Sequence, residues 1–220
     1  MHVYEYLEQA AMSEVSPLNL GDISLPDGVG PDNDQYLNQQ KLINFVNRAN
    51  LEIHKIFQLI QKTAQICNSP PQCLFRLPKD FLHAIYASFL NGVEVPLNND
   101  RAVIVNGVER CVSLMFPAPF LMEVKGIDGL GRVSIGMVYV AAPPKVCKIS
   151  DWIDLGEQYN EAMINYITYL AYCSQNGDVK STNNTFYMRF KSSCDMIRNI
   201  GLQTSDNLDN NCKLNERGFV

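Results

Sequence analysis

The chain has 220 residues, 46% of them hydrophobic, with 18 basic against 23 acidic side chains for a net charge of −5. That is apolar material enough for one generous domain or two small ones without metal or disulfide staples. A pI near 5.2 excludes a protein that grips phosphates by bulk electrostatics. The 19% charged residues, against about a quarter in soluble chains, point to surface covered by other subunits.

Val3, Leu7, Ala10, Ala11 and Val15 recur at helical spacing, which predicts a short helix from His2 to Ser16, stopped by Pro17. Residues 18–33 are rich in Gly, Pro and Asp and read as a loop. Leu42, Phe45, Val46, Ala49, Ile53, Ile56, Phe57 and Ile60 then form one continuous apolar stripe. They predict a long helix from Tyr36 to Ile60, capped by Asp34 and barred from continuing by Asn68-Ser69-Pro70-Pro71.

From Phe75 to Cys147 the period becomes that of strands. Asn91-Gly92 and Asn106-Gly107 suit type I′ turns and predict tandem hairpins, His83–Leu90 with Val93–Leu97 and Arg101–Val105 with Val108–Phe116. A third hairpin is expected from Phe120–Val124, across Gly126 to Gly131, into Arg132–Val140. Helical spacing returns at Leu155, Tyr159, Ala162, Met163, Tyr166, Ile167, Leu170 and Ala171, opened by a capping box of Asp154 and Glu157. A last helix carries Phe186, Phe190, Cys194 and Ile197, with cap candidates Ser181 to Asn184 before it and Gly201 after it. The closing segment is too polar to order itself.

The expected fold is α+β. N- and C-terminal helices build a four-helix bundle, into which an antiparallel β-sheet or sandwich of about six strands is inserted. Its core would include Phe45, Val46, Ala49, Ile53, Ile56, Leu155, Tyr159, Tyr166 and Phe190. The chain divides as one domain over residues 1–220: helices in 1–71, a β region in 72–148, helices in 149–201 and an extended tail in 202–220.

Chemistry-bearing motifs are sparse. Seven cysteines (Cys67, Cys73, Cys111, Cys147, Cys173, Cys194, Cys212) are odd in number and scattered, without C-x-x-C, so they write neither a disulfide framework nor a zinc module and fit a reducing compartment. His2, His54 and His83 are too separated for a His-rich metal site. The glycines Gly126, Gly129 and Gly131 run in the reverse order of a dinucleotide fingerprint and read as a hairpin loop. No P-loop, G-x-S-x-G or H-E-x-x-H is present. The start of the chain lacks the basic residues of a signal peptide, and no apolar run reaches the roughly 18 residues of a membrane span. Tyr159 and Tyr166 lie on the apolar stripe of their helix. Together with Tyr169 and Tyr172 they would make a stacking platform for bases, whereas the stripe places Tyr159 and Tyr166 in the core and leaves Tyr169 and Tyr172, off its centre, expected to face another subunit. Lys180, Arg189, Lys191 and Arg198 form a modest basic cluster, read as a solvated helix face. The expectation is a non-enzyme without metal or cofactor.

Particular phrases carry a resemblance. Leu42-Ile43-Asn44-Phe45-Val46-Asn47-Arg48-Ala49-Asn50-Leu51-Glu52-Ile53, Leu77-Pro78-Lys79-Asp80-Phe81 and Ile153-Asp154-Leu155, with Tyr159, Tyr166 and Ala171-Tyr172, resemble the head-tail adaptor (connector) proteins of tailed bacteriophages. The likeness spans Tyr36 to Leu202. It implies a structural virion protein of the neck, assembled in the host cytoplasm as a homo-oligomeric, usually dodecameric, ring. Such a ring sits beneath the portal protein, extends the DNA channel and receives tail or nozzle proteins. Double-stranded DNA would pass an acidic wall without sequence-specific binding. In such adaptors the C-terminal segment reaches the portal, which implies docking through Leu202, Leu208, Leu214, Phe219 and Val220. Another neck or tail ring component, a small soluble enzyme and a nucleic-acid-binding regulator stand as alternatives.

Overall fold

A computed structural model of the chain describes residues 1–12, 34–68, 73–97, 100–105, 107–176 and 185–200. The expected loop 18–33, Pro70-Pro71, Asn106, the cap candidates 181–184, Gly201 and the tail 202–220 lie outside the described residues. The chain forms two compact units: residues 1–57 with 144–220, and an inserted unit of residues 58–143.

The first unit is helical: α1 (Val3–Met12), α2 (Asp34–Phe57), α3 (Asn160–Asn176) and α4 (Thr185–Asn199). Phe45, Val46, Ala49, Ile53 and Phe57 of α2 are all buried, and so are Phe186, Phe190, Cys194 and Ile197 of α4, each set at the spacing of one helix face. Ile56, Leu155 and Tyr166 are half-buried, while Tyr159 is buried. The expected four-helix bundle is not what forms. Helix α3 is the hub against which α1, α2 and α4 each pack. Its apolar stripe is wide for that reason: Ala162, Met163, Ile167, Leu170 and Ala171 are buried, and Tyr166, Tyr169 and Tyr172 meet α4 rings at 4.7–5.9 Å. A one-sided periodicity shows that a face is buried, and says nothing of which helix covers it.

The helix α2 ends at Phe57, short of the expected Ile60, because Gln58 takes φ 52°. That left-handed residue turns the chain into a strand instead of a further helical turn. In place of about six strands, the described residues form seven, in two antiparallel sheets. They are β1 (Gln61–Cys67), β2 (Leu74–Arg76), β3 (Phe81–Phe89), β4 (Arg101–Val105), β5 (Val108–Ala118), β6 (Leu121–Lys125) and β7 (Ser134–Ala141). One sheet has the order β1-β7-β3 and the other β2-β6-β5-β4. Phe75, Val112, Leu114, Met122 and Val124 of the second sheet share one core with Phe89, Ile135, Met137 and Tyr139 of the first.

The β4–β5 pairing runs from Arg101↔Val112 to Val105↔Val108, in the expected place. The first hairpin shrinks to a single bridge, Ser88↔Glu94, beside the Asn91-Gly92 turn, where Gly92 has φ 82°. The third does not form: β6 pairs with β5 across Pro119-Phe120, and β7 crosses to the other sheet to lie between β1 and β3. The reason is local. Phe120 adopts φ 60°, which closes a tight β5–β6 turn that the flanking prolines conceal. The helical unit also lacks the expected capping box, since Gly156 precedes a 3-10 turn (Glu157–Tyr159) with no side-chain cap.

Candidate interaction surfaces

A concavity lies within the β unit. Leu77, Phe81, Leu82, Ala84, Leu97, Phe116, Pro117, Ala118, Pro119 and Phe120 line a cleft of about 610 Å³, with His83 the one titratable side chain lining it among the described residues. Backbone geometry builds it. The Pro-Phe turn with its bulge after Met115 throws residues 116–120 outward, and the Leu77 amide donates to the Phe120 carbonyl at 2.9 Å, fixing the rim. Phe81 forms the floor, stacked on Phe116 at 5.5 Å and tilted against Tyr139 at 5.7 Å. The Tyr139 hydroxyl donates to Asp80 at 3.0 Å, and Lys62 closes on the same carboxylate at 2.6 Å. The lysine hydrogen bond holds the Asp80 carboxyl below its ordinary value, and burial pushes the Tyr139 phenol up. Burial lowers the His83 pKa as well, so the cleft presents a neutral imidazole near pH 7.

A second, shallower depression of about 350 Å³ crosses the β1-β7-β3 sheet above Gly136, between Tyr86 and Leu90. Both surfaces offer apolar contact with few fixed charges, which suits a protein segment. Phe120, 51% exposed at the cleft rim, is the clearest anchor.

In the helical unit, His54 is buried and its Nδ1 donates to the Asn50 carbonyl at 2.8 Å, an ordinary helix i to i−4 contact. Burial lowers its pKa against the opposing pull of the Asn50 hydrogen bond and, less, of Asp154. The side-chain Oδ1 of Asn50 is buried without a hydrogen-bond partner among the described residues. Cys173 and Cys194 are buried, and burial pushes the Cys194 thiol up to about 11, a small protonated hydrophobe. Cys67 faces the Ser134 hydroxyl at 2.9 Å, while Cys111 and Cys147 are exposed and separate. Among the described residues, no group of three His, Cys, Asp or Glu side chains could hold a metal ion, and no helix is long and apolar enough to cross a membrane.

The bundle-core residues foreseen from sequence belong to the helical unit, whereas the docking residues Leu202, Leu208, Leu214, Phe219 and Val220 lie outside the described residues. Sequence reasoning missed the cleft. Its signal was present in Phe116-Pro117-Ala118-Pro119-Phe120, two rings held apart by prolines. Neither protein-family models nor curated protein sequences give a match to this chain.

Proposed function

We propose that this chain is a head-tail adaptor of a tailed bacteriophage. Copies would form a homo-oligomeric ring beneath the portal, extend the DNA channel and receive the tail. The observation that carries the reading is the cleft of the β unit, whose lining side chains are apolar apart from His83 and whose exposed aromatic rim fits a partner chain. Leu77 and Phe81, the ends of the adaptor-like phrase Leu77-Pro78-Lys79-Asp80-Phe81, both line it. A low charge content suits a subunit that buries two flanks against neighbours, and an acidic conduit lets DNA slide instead of holding it. The segment with Leu202, Leu208, Leu214, Phe219 and Val220 keeps the portal-docking role that the resemblance gives it.

Light scattering and negative-stain microscopy of the purified full chain test the reading. A closed ring, dodecameric by the resemblance, is expected. A monomer with a small molecule held in the cleft would overturn it in favour of a soluble enzyme.

A further inference from the structure

Two outward helix faces in the helical unit complement each other. On α1, Tyr4, Glu8 and Met12 recur every fourth residue and are exposed. His2 extends this face, its ring stacked on Tyr4 at 5.6 Å and meeting Trp152 edge-on at 5.0 Å. Trp152, the chain's single tryptophan, is 61% exposed. Helix α1 carries Glu5 and Glu8 and no basic residue. Their charges raise the Tyr4 phenol pKa, a sign of negative potential at that face.

On α4, Met188, Ser192 and Met196 repeat at the same four-residue interval, continued by Ile200 just past the helix end, and the three large apolar members are 54%, 56% and 62% exposed. Arg189 and Lys191 flank the stripe, and with Arg198 they outnumber the single acid, Asp195. Each helix packs on α3 with its other side. Tyr4 to Met12 and Met188 to Met196 both span eight residues, about 12 Å of helix.

Resting on the ring reading above, we propose that the α1–Trp152 face of one copy receives the α4 face of a second copy of the chain. In a protein of net charge −5, α1 against α1 repels, as does α4 against α4. Only the crossed pairing sets Glu5 and Glu8 against Arg189 and Lys191 while covering Tyr4 and Met12 of one copy and Met188 and Met196 of the other. Trp152 is the natural anchor, offering its ring to an arginine or lysine of the neighbour. The two faces differ, so the contact is heterologous. Every copy has one face of each kind to offer, and repetition closes a ring or runs on as a filament.

Sedimentation of the full chain tests this with Glu8→Lys, Arg189→Glu and Trp152→Ala, all exposed positions, with circular dichroism confirming that each variant is folded. Each variant alone is expected to weaken self-assembly by about tenfold or more. An equimolar mixture of Glu8→Lys and Arg189→Glu is expected to regain assembly, because the swapped charges then meet across one contact and native charges across the other. Variants that assemble like wild type, or a mixture that stays unassembled, would overturn the pairing while leaving the ring reading intact. A wild-type chain that remains monomeric would overturn both.

Discussion

Replacing Gly126 by alanine measures how tightly the second sheet is closed at its β6 end. Gly126 follows β6 with φ 81°, and a Cβ built there lies 2.1 Å from the Cys111 carbonyl oxygen of β5, a separation real Cβ atoms do not show. Gly129 and Gly131, at φ 77° and 71° in the same loop, have nothing within 4 Å of the equivalent position. Alanine at either of those meets only the left-handed backbone cost, about 1 kcal/mol. At Gly126 the β5 carbonyl or the β6 end must also move by roughly 1 Å, which takes hydrogen bonds out of range. The Ser113↔Lys125 pairing and the Arg110 guanidinium bond to the Gly126 carbonyl, at 3.2 Å, stand beside the clash. Losing one or two such bonds adds about 1 kcal/mol each, for a total of about 3 kcal/mol. For a unit of this size each kcal/mol shifts Tm by about 4–8 °C. Thermal melts followed through the β-sheet circular dichroism signal should place Gly126→Ala on the order of 12 °C or more below wild type. Gly129→Ala should fall only about 4–8 °C below. Equal melting of the two variants would refute the close approach.

Ile53 of α2 is fully buried, so Ile53→Asp should cost about 3–5 kcal/mol by leaving an unpaired carboxylate in the helical core; a wild-type melting temperature would show the assigned face to be wrong. His54 has a folded-state pKa lowered by burial from its ordinary 6.5. The unfolded chain therefore binds protons that the folded chain refuses, and stability declines as pH falls below about 6.5 until the folded pKa is reached. An NMR titration of the His54 ring should find its midpoint below 6.5, and a midpoint at or above that value contradicts the buried neutral imidazole.

Much of the helical unit was legible because burial on one side of a helix writes a 3.6-residue period into the chain: Phe45, Val46, Ala49 and Ile53 announced α2 as Phe186, Phe190 and Cys194 announced α4. Partner choice was not legible, since the stripe of α3 is equally apolar whichever helix it meets. Strand β1, Gln61-Lys62-Thr63-Ala64-Gln65-Ile66-Cys67, is a partly exposed edge with little apolar alternation, so the helical reading ran up to it. The β7 crossover escaped because sequence-adjacent strands are the default partners and Asn91-Gly92 is a stronger signal than any distant pairing. The cleft was hidden by its prolines, which read as punctuation. The outward stripes of α1 and α4 were not legible because a few exposed methionines on a helix carry no signal of their own in the sequence.

The chain leaves the helical unit at Phe57 and returns only at Pro144. During synthesis, therefore, α2 emerges with Val46, Ala49 and Ile53 uncovered and waits for α3. At about 5–20 residues per second, the hundred or so residues in between take roughly 5–20 s to appear. The β unit is contiguous in sequence and can close its own core in that interval. The order of maturation is thus set by connectivity: sheets first, helices last. Until α3 arrives, the apolar faces of α1 and α2 both lack the helix they pack on.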